Sequence, residues 1–551
     1  MKKLASVLLA TVILAAFAAA ACIFVRSNTI GDTNGDGLID NKDVVALFRF
    51  VSGNKNAAIA ENCDFNKDGD TDNKDVVALF RALSGGAVSV TETEEETDEP
   101  ETETEPETEP ITETETEEIP ELSSELVICA PGTAKSDFRL VYDKNVDDPL
   151  TAEATMFLNL IKWHTGTTVA NSSTTRITEK EIILSSRQRP ETAEMISELA
   201  EGEYAVRVLR GANEGEGKLL IAVTTYESAY TCAEYLVENY CTDEKGFTVP
   251  FDLDIKGTEK KLELTESTIT RKMRDPSVLV ENGVYYVYST GWKCSKNVGG
   301  VLQGPWKKLE IEVNMAHPET DGGSHWAPEV HKYNGSYYMF TTYYNSVTEH
   351  RGCIILKSDS PEGPFDEITD GFITPPDWDC IDGTFYIDPD GQLWMVFVHE
   401  WTCMPDGVGS FAAAKLSDDL THFISEPIEL FKANEPVWSA ANVTDGCFMY
   451  TTQDGELLML WSNFDAFGYS VAVAKSSNGR LDGEWTHEKT PLFSKYMTNG
   501  YDGGHAMVFT DTDGQMYIAF HSPNTATDDR KEIPVFLKIE EKDGTLKAVK
   551  N

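Results

Sequence analysis

The stretch FYIDPDGQLWMVFVH, Phe385 to His399, predicts a β-hairpin, because two runs of strand-forming residues flank an Asp-Gly turn. Four further stretches repeat this pattern: VLVENGVYYVYST (278–290), VHKYNGSYYMFTT (330–342), MYTTQDGELLMLWS (449–462) and VFTDTDGQMYIAFHS (508–522). Their turn glycines recur every 52 to 64 residues, a spacing that suits one four-stranded blade per repeat. Later in three of the units QGPW (303–306), EGPF (362–365) and DGEW (482–485) mark a common outer element. The pattern predicts an all-β, five-bladed propeller over residues 268–551.

Acidic and aromatic residues stand just before the hairpins, where the innermost strand of each blade should begin. All inner strands of a propeller face one axis, so these residues should converge although they lie far apart in sequence. The predicted group is Asp275 in RDPS, Trp326 and Glu329 in HWAPEV, Asp382 in CIDGTF, Asp445 in VTDGCF and His505 in DGGHAM. Carboxylates perform acid–base chemistry on glycosidic bonds, and aromatic rings stack on sugar faces. We therefore expect a sugar site ringed by Trp292, Trp326, Trp378, Trp401 and Trp438.

Taken together, these motifs resemble glycoside hydrolase family 43 over about residues 274–523. The resemblance implies that Asp275 is the general base and that Asp382 orients the general acid and tunes its pKa. The family's acid is usually a glutamate in an E-G-P-type motif of the fourth blade, and Asp445 occupies that place here. The implied reaction is hydrolysis with inversion, in which the carboxyls of base and acid stand roughly 6.5 to 9.5 Å apart.

Asp445 departs from the family pattern, because aspartate is one methylene shorter than glutamate. Either the backbone lies closer to the substrate, or another group such as Glu329 or Glu400 is the acid; position along the repeat favours Asp445. Simpler roles also stay open. Asp275 could initiate a strand, Asp382 could shape a turn, and Glu329 could be a structural pairing residue.

Five residues are expected to contact substrate: Trp292, Trp326, Glu329, Trp401 and His505. In the family, a histidine of the last blade lies at the axis and helps to hold a calcium ion or its waters. The resemblance therefore implies a calcium ion near His505, with a buried histidine satisfied by its neighbours as the alternative.

Residues 124–265 alternate short apolar runs with helical patterns, which predicts a small α/β domain. The segment looks like an accessory domain found before several glycosidase catalytic domains. It contains no visible catalytic constellation, and either packing or sugar binding is a possible role.

A repeat at residues 29–87 predicts a small α-helical calcium-binding domain. DTNGDGLIDNKDVVALFRFVSG recurs 32 residues later as DFNKDGDTDNKDVVALFRALSG, and each copy has the spacing of a calcium loop. The repeat resembles a type I dockerin, which implies two Ca²⁺ ions, a cohesin partner on a scaffoldin and a cellulosome-like assembly. The predicted ligands are Asp32, Asn34, Asp36, Leu38, Asp40, Asp43, Asp64, Asn66, Asp68, Asp70, Asp72 and Asp75.

The remaining N-terminal segments indicate export. Residues 1–26 carry two lysines, an apolar run and small residues, as in a signal peptide; acylation of Cys22 and an uncleaved anchor are the alternatives. Residues 88–123 form an acidic Thr/Glu/Pro linker. The net charge of −46 over 551 residues excludes a nucleic-acid binder, and no other apolar run is long enough for a membrane span.

We expect a secreted, cell-surface or cellulosome-associated glycosidase that cleaves xylan, arabinoxylan or arabinan, as a β-xylosidase or an α-L-arabinofuranosidase. Two alternatives are a catalytically inactive propeller that binds glycans and a retaining glycosidase of a related five-bladed family.

Overall fold

A computed structural model describes Leu47, Thr71, Leu79 and residues 123–144, 150–172, 176–213, 215–299 and 301–551. The chain divides into two compact units, residues 1–117 and 118–551. In the first unit Leu47 and Leu79, which are equivalent positions of the repeat, are both helical and buried. The signal peptide, the twelve predicted calcium ligands and all of the linker except Ser123 lie outside the described residues.

The second unit begins with an α/β region, residues 125–258. Its six-stranded sheet has the order β3-β2-β4-β6-β5-β9, with parallel pairing from β3 to β6 and antiparallel pairing at β5 and β9. A smaller sheet has the order β1-β8-β7. The elements are β1 (Glu125–Cys129), β2 (Lys135–Val141), α1 (Leu150–Thr165), β3 (Thr168–Ser172), β4 (Lys180–Leu184), α2 (Pro190–Ser197), β5 (Glu203–Arg210), β6 (Gly217–Val223), α3 (Tyr226–Tyr240), β7 (Cys241–Thr242), β8 (Gly246–Pro250) and β9 (Asp254–Thr258).

Five sheets follow, antiparallel except for one parallel strand pair in the second, and they confirm the predicted propeller. Strand β10 (Leu264–Glu266) precedes the first blade, which consists of β11 (Ser277–Glu281), β12 (Val284–Ser289), β13 (Lys293–Val298) and β14 (Lys307–Leu309). The second blade contains β15 (Val313–Asn314), β16 (Trp326–Tyr333), β17 (Ser336–Asn345), β18 (His350–Ser358) and β19 (Phe365–Glu367), and the third β20 (Cys380–Ile387), β21 (Leu393–His399), β22 (Ser410–Lys415) and β23 (Ile428–Lys432). The fourth contains β24 (Asp445–Thr451), β25 (Leu457–Phe464), β26 (Tyr469–Ser476) and β27 (Trp485–His487), and the fifth β28 (Gly504–Thr510), β29 (Met516–Ser522), β30 (Ile533–Lys542) and β31 (Thr545–Ala548). Short 3-10 helices span Pro318–Thr320 and Lys495–Met497.

The predicted turns and outer elements lie where the sequence repeat puts them. All five turn glycines have positive φ, between 76° and 86°, as tight hairpin turns require. QGPW, EGPF and DGEW each lead into an outer strand of a blade, namely β14, β19 and β27; in the second blade the two-residue strand β15 lies outside β19.

The fifth blade is completed by a strand from the start of the propeller. Strand β10 pairs with β30, so the sheet has the order β10-β30-β29-β28. This pairing joins the two ends of the propeller and closes the ring. The predicted boundary at residue 265 therefore cuts through a strand of the propeller, because a three-residue strand has too little periodicity to be detected in sequence.

The α/β region packs directly against the propeller within this second unit. Trp163 of α1 contacts Phe467 and Tyr496, with ring centroids 6.2 and 5.7 Å apart. The Tyr226 hydroxyl of α3 donates to the Tyr496 carbonyl at 2.7 Å. Buried apolar residues of both parts form one continuous cluster, so the described part of this unit has a shared core.

The eight cysteines in the described ranges are all free thiols, including Cys232 and Cys241. Within those ranges no helix combines the length and the apolar character needed to cross a bilayer.

Candidate active site

The inner strand of every blade has a residue with left-handed backbone within two residues of its start. The φ angles are 54° at Asp275, 43° at Ala327, 56° at Asp382, 56° at Gly446 and 58° at His505. A left-handed conformation is unfavourable for most side chains and is common at bulges beside active sites. In blades two to five the pairing register shifts at this point, which marks a β-bulge in each. The left-handed backbone at Asp275, Asp382 and His505 lets these three side chains meet at a common centre.

Hydrogen bonds between blades hold these residues in place. The backbone N–H of Ala327 donates to Thr290 Oγ1 at 3.0 Å, that of Asp382 to Thr342 Oγ1 at 3.0 Å, and that of His505 to Ser462 Oγ at 2.7 Å. The N–H of Asp275 donates to His521 Nδ1 at 3.2 Å, which closes the ring between the first and last blades.

The fourth blade uses a different partner. At the hairpin position that holds Thr290, Thr342 and Ser462 in the first, second and fourth blades, the third blade has Val398. A valine side chain offers no hydrogen-bond acceptor. Instead the N–H of Gly446 donates to Oδ2 of Asp382 at 2.9 Å. Only glycine fits at residue 446, because a Cβ there would lie 2.8 Å from Cγ and 2.9 Å from Cα of His505. The carboxylate of Asp382 is therefore bonded to the residue directly after Asp445.

The three aspartates predicted to be catalytic share one pocket. His505 Nδ1 lies 3.5 Å from Oδ1 of Asp275 and 3.6 Å from Oδ2 of Asp382, so it bridges these two carboxylates. Asp445 is close enough for the charges of Asp382 and Asp275 to alter its pKa. A turn residue or a strand initiator would not require such convergence from three different blades.

The environment raises the pKa of Asp445. Burial makes the largest contribution, the charge of Asp382 adds to it, and a hydrogen bond donated by Tyr469 at 3.1 Å opposes it. The net effect holds the pKa of Asp445 well above its usual range. Burial likewise raises the pKa of Asp382, where the positive field of His505 opposes the negative field of Asp275.

The environment lowers the pKa of Asp275. Burial alone would raise it, but His505, Arg274 and a hydrogen bond from the Thr290 hydroxyl outweigh that effect. Burial also lowers the pKa of His521 to about 3, so its ring is neutral at ordinary pH and acts as the acceptor for Asp275 N–H.

Opposite pKa shifts of two carboxyls in one pocket separate their chemical roles. The raised pKa of Asp445 favours its protonated form, which can donate a proton, whereas the lowered pKa of Asp275 favours its ionised form, which can accept one. This pairing is what acid–base cleavage of a glycosidic bond requires.

The two other candidates for the acid are held in structural contacts. Glu400 forms a two-point ion pair with Arg351, with Nη2 at 2.5 Å and Nε at 3.0 Å from Oε2. Glu329 accepts hydrogen bonds from His331 and from Thr384 Oγ1. A carboxylate held in this way is a poor proton donor, and substrate contact by Glu329 stays a prediction.

Four of the five tryptophans expected around the site are half-buried: Trp292, Trp326, Trp378 and Trp401. Trp292 stacks on His325 with centroids 3.7 Å apart, Trp378 stacks on His399 at 3.8 Å, and Trp326 lies under the Arg351 guanidinium. Trp438 was wrongly included in the ring. It is only 2% exposed and packs on Trp461, because its loop turns into the core of the fourth blade.

The described residues contain no group of three or more His, Cys, Asp or Glu side chains arranged to hold a metal ion. A cavity of about 10 Å³, comparable to the volume a single water needs, lies at the axis between Asp275, Glu329 and His505. The calcium ion expected near His505 stays a prediction.

Sequence reasoning missed several residues of this pocket. Thr290 could have been found, because it stands at the same place in its hairpin as Thr342 and Ser462 in theirs. Tyr469 and Arg351 carried no such signal, because their contacts depend on how neighbouring strands and loops pack.

Comparisons with known proteins agree with this geometry. Residues 264–546, about half of the chain, match glycosyl hydrolases family 43. A probable arabinan endo-1,5-α-L-arabinosidase B of Aspergillus fumigatus is 26% identical over 145 residues, which are 24% of this chain and 39% of the relative. An extracellular exo-α-(1→5)-L-arabinofuranosidase of Cellvibrio japonicus is 26% identical over 170 residues, 27% of this chain and 45% of the relative.

The chain thus spans less than half the length of these curated relatives. A crystal structure of an endo-arabinase from Bacteroides thetaiotaomicron is 35% identical and covers 51% of this chain and 99% of its own, with a TM-score of 0.44. The family match confirms the expectation of a glycoside hydrolase domain, and the chain belongs to glycosyl hydrolase family 43.

Proposed function

We propose that this chain hydrolyses α-L-arabinofuranosyl linkages in plant cell-wall arabinan, with inversion at the anomeric carbon. The observation that carries the proposal is the pair of opposite pKa shifts in one pocket, raised at Asp445 and lowered at Asp275. The names of the curated relatives support arabinan ahead of xylan or arabinoxylan as the substrate.

In the proposed reaction, Asp275 removes a proton from a water molecule that attacks the anomeric carbon. Asp445 donates its proton to the glycosidic oxygen as the bond to the leaving sugar breaks. Asp382 keeps the acid protonated, because its own negative charge disfavours a second charge nearby. The half-buried tryptophans offer faces on which the sugar rings could stack.

The purified full chain, incubated with linear α-1,5-arabinan, tests this proposal. We expect arabinose or short arabinan oligosaccharides, with xylan as a substrate for comparison and Asp275→Asn as the inactive control. If wild type and Asp275→Asn release sugar equally slowly from every polymer, the chain is a glycan-binding propeller and not an enzyme.

The anomeric configuration of the first product, followed by proton NMR, tests the inverting mechanism separately. We expect β-arabinofuranose to form first and to mutarotate later. If α-arabinofuranose forms first, the enzyme retains configuration and one carboxylate acts as a nucleophile.

We also propose that the protein is secreted and docks on a scaffold through residues 29–87. The proposal is supported by the doubled calcium-loop spacing of the sequence, which would hold two Ca²⁺ ions and present a face to a cohesin. Binding to immobilised type I cohesin should require calcium and should be abolished by EDTA. Binding that persists in EDTA, or its absence from a panel of cohesins in calcium, would contradict this proposal.

A further inference from the structure

Tyr469 is a buried tyrosine whose hydroxyl contacts the proposed acid, Asp445. It begins β26, directly after the turn at residues 465–468, and is 2% exposed. Its hydroxyl donates to Oδ2 of Asp445 at 3.1 Å. Burial holds the pKa of Tyr469 well above its usual range, so this hydroxyl keeps its proton and acts as a donor.

A donor on Oδ2 determines where the acid carries its own proton. Because the oxygen that accepts from Tyr469 points its lone pair at that hydroxyl, the proton of Asp445 is best placed on Oδ1. A general acid works only when its proton faces the leaving oxygen. The Tyr469 hydroxyl thus favours the position of the Asp445 proton that catalysis needs, in addition to the packing of its ring.

The position of Tyr469 is set from two sides. Its backbone N–H donates to Oδ2 of Asp502 at 3.2 Å, and its ring fits against Gly504, where a Cβ would lie 2.4 Å from the ring. Asp502 also accepts from the N–H of Asn524 at 3.0 Å, and Asn524 accepts from Arg274, the neighbour of the base. The tyrosine therefore belongs to a network that reaches both catalytic carboxylates.

The turn before Tyr469 lies against the α/β region. Phe467 at its tip meets Trp163 of α1 with centroids 6.2 Å apart and Tyr496 at 5.2 Å. Asp465 closes the turn by accepting the N–H groups of Phe467 at 2.7 Å and Gly468 at 3.1 Å. Phe467, which makes the aromatic contact, is only two positions before Tyr469, which contacts the acid.

We propose that the α/β region is a positioning element for catalysis: Trp163 fixes the 465–468 turn, the turn fixes Tyr469, and Tyr469 orients the proton of Asp445. This inference rests on the proposed function of Asp445 as general acid. It gives the α/β region a role in the reaction that does not depend on binding sugar. Tyr469 and Trp163 are positioning residues.

Other charged groups also affect the pKa of Asp445, so they must stay unchanged when Tyr469 is substituted. These groups are Asp275, Asp382, Glu400 and, through the two aspartates, His505. None of them is altered in the variants below.

The first test is Tyr469→Phe in the full chain, which removes one hydroxyl and keeps the ring. We expect kcat on arabinan to fall about 10-fold with little change in KM, because orientation of the acid matters in the transition state. Since the lost hydrogen bond had lowered the pKa of Asp445, the alkaline limb of the kcat profile should move to higher pH. A tyrosine that merely filled space would leave that limb unmoved.

The second test is Trp163→Phe and Phe467→Ala, alone and together. We expect each to lower kcat and move the alkaline limb in the same direction as Tyr469→Phe, and the double variant to add little to the larger single effect. Asp243→Ala is the matched control, because Asp243 pairs with Lys489 across the same interface at 2.6 Å without touching the turn. If Asp243→Ala has the same effect as Trp163→Phe, or if Trp163→Phe leaves kcat and its pH profile unchanged, the proposed path is wrong.

A measurement without substrate separates this inference from the proposed function. Carbon-13 NMR of carboxyl-labelled aspartate follows the titration of Asp445 directly, with its signal assigned by its loss in Asp445→Asn. We expect that signal to titrate at higher pH in Tyr469→Phe and Trp163→Phe than in wild type. If the titration is identical in all three proteins the inference fails, whereas a shifted titration in an inactive wild type overturns only the proposed function.

Discussion

Asp445 is one methylene shorter than the family's glutamate, and the fold around it explains how a shorter side chain can still be an acid. The residue stands at the start of β24, one position before a left-handed glycine whose N–H is bonded to Asp382. That bond holds the backbone next to Asp445 against the carboxylate of Asp382, and the Tyr469 hydroxyl donates to Oδ2 of Asp445. The short side chain is thus paired with a backbone that lies close to the other carboxylates.

Burying the carboxyl of Asp445 costs folding stability at neutral pH. In the folded chain its pKa is raised, so the stability linked to its proton is complete below the ordinary aspartate pKa. That stability is lost as pH rises through the ordinary pKa toward the folded one. Asparagine cannot ionise and avoids this loss.

We therefore predict that Asp445→Asn raises the Tm of the protein at pH 7 to 8. The gain over wild type should shrink as pH falls toward 4, measured by differential scanning calorimetry. Asp275→Asn is the opposite control, since a carboxyl with a lowered pKa stabilises the fold above its unfolded pKa, and its loss should lower Tm at neutral pH. A Tm of Asp445→Asn below wild type at pH 8 would contradict a raised pKa.

At the scale of single residues, the sequence predicted that Asp275, Asp382 and Asp445 converge, because motifs and repeat position agreed. It could not predict their protonation states. Those depend on Tyr469, His505 and Arg274, which come from three different strands or loops and meet only in the folded propeller.

Left-handed backbone near the start of each inner strand, with a bulge in blades two to five, is the feature that builds this site. Cross-blade hydrogen bonds to Thr290, Thr342, Ser462 and His521 fix four of the five left-handed residues. In the fourth blade the carboxylate of Asp382 replaces the hydroxyl as the acceptor. The bulge of this blade therefore ties Asp382 to the residue that follows Asp445.

We predict that Gly446→Ala is far more harmful than Gly283→Ala. Both glycines have positive φ, which costs alanine about 1 kcal/mol or slightly more. At residue 446 the new Cβ would also meet His505 at 2.8 Å, whereas at residue 283 nothing lies within 4 Å. Gly446→Ala should lose most of the activity and lower the midpoint of urea unfolding well beyond Gly283→Ala; equal midpoints and equal kcat would show that the close approach is not needed.

Hairpins and their turns were predictable at the scale of elements, because Asn-Gly and Asp-Gly turns between alternating strands carry a strong local signal. Strand β10 could not be predicted, because a segment of three residues (264–266) is too short to show the alternation of apolar and polar residues that marks a strand. Its place is decided by the unpaired edge of β30, which no local pattern reveals.

The second compact unit behaves as one folded body of α/β region and propeller. They share an apolar cluster, Lys550 pairs with Glu234 across the interface, and β10 follows directly on the α/β region before it closes the fifth blade. The described part of the chain thus has no simple cut between its catalytic and its accessory parts.

We predict that a chain beginning at residue 118 keeps wild-type kcat within about twofold, whereas a chain beginning at residue 268 does not fold to a stable propeller. The shorter chain lacks β10 and exposes the apolar surface that Trp163 and Tyr230 cover. Circular dichroism and thermal unfolding of both chains check this. A shorter chain with wild-type Tm and kcat would show that neither the closing strand nor the α/β region is required.

At the scale of the whole molecule, the sequence predicted the order of its parts from changes in composition, from the repeat and from the hairpins. The sequence did not predict the contacts between these parts. Trp163 and Phe467 lie about 300 residues apart, and neither has a local pattern that marks an interface.

We propose that Asp445 is the proton donor and Asp275 the base. The most direct test measures kcat of wild type, Asp445→Asn and Asp275→Asn on aryl α-L-arabinofuranosides whose phenols differ in acidity. For a phenyl leaving group, Asp445→Asn should lose about 10²- to 10⁴-fold, and for 2,4-dinitrophenyl, which needs no proton, it should lose little. Asp275→Asn should lose activity on both substrates alike; an equal loss by Asp445→Asn on both would contradict its role as the acid.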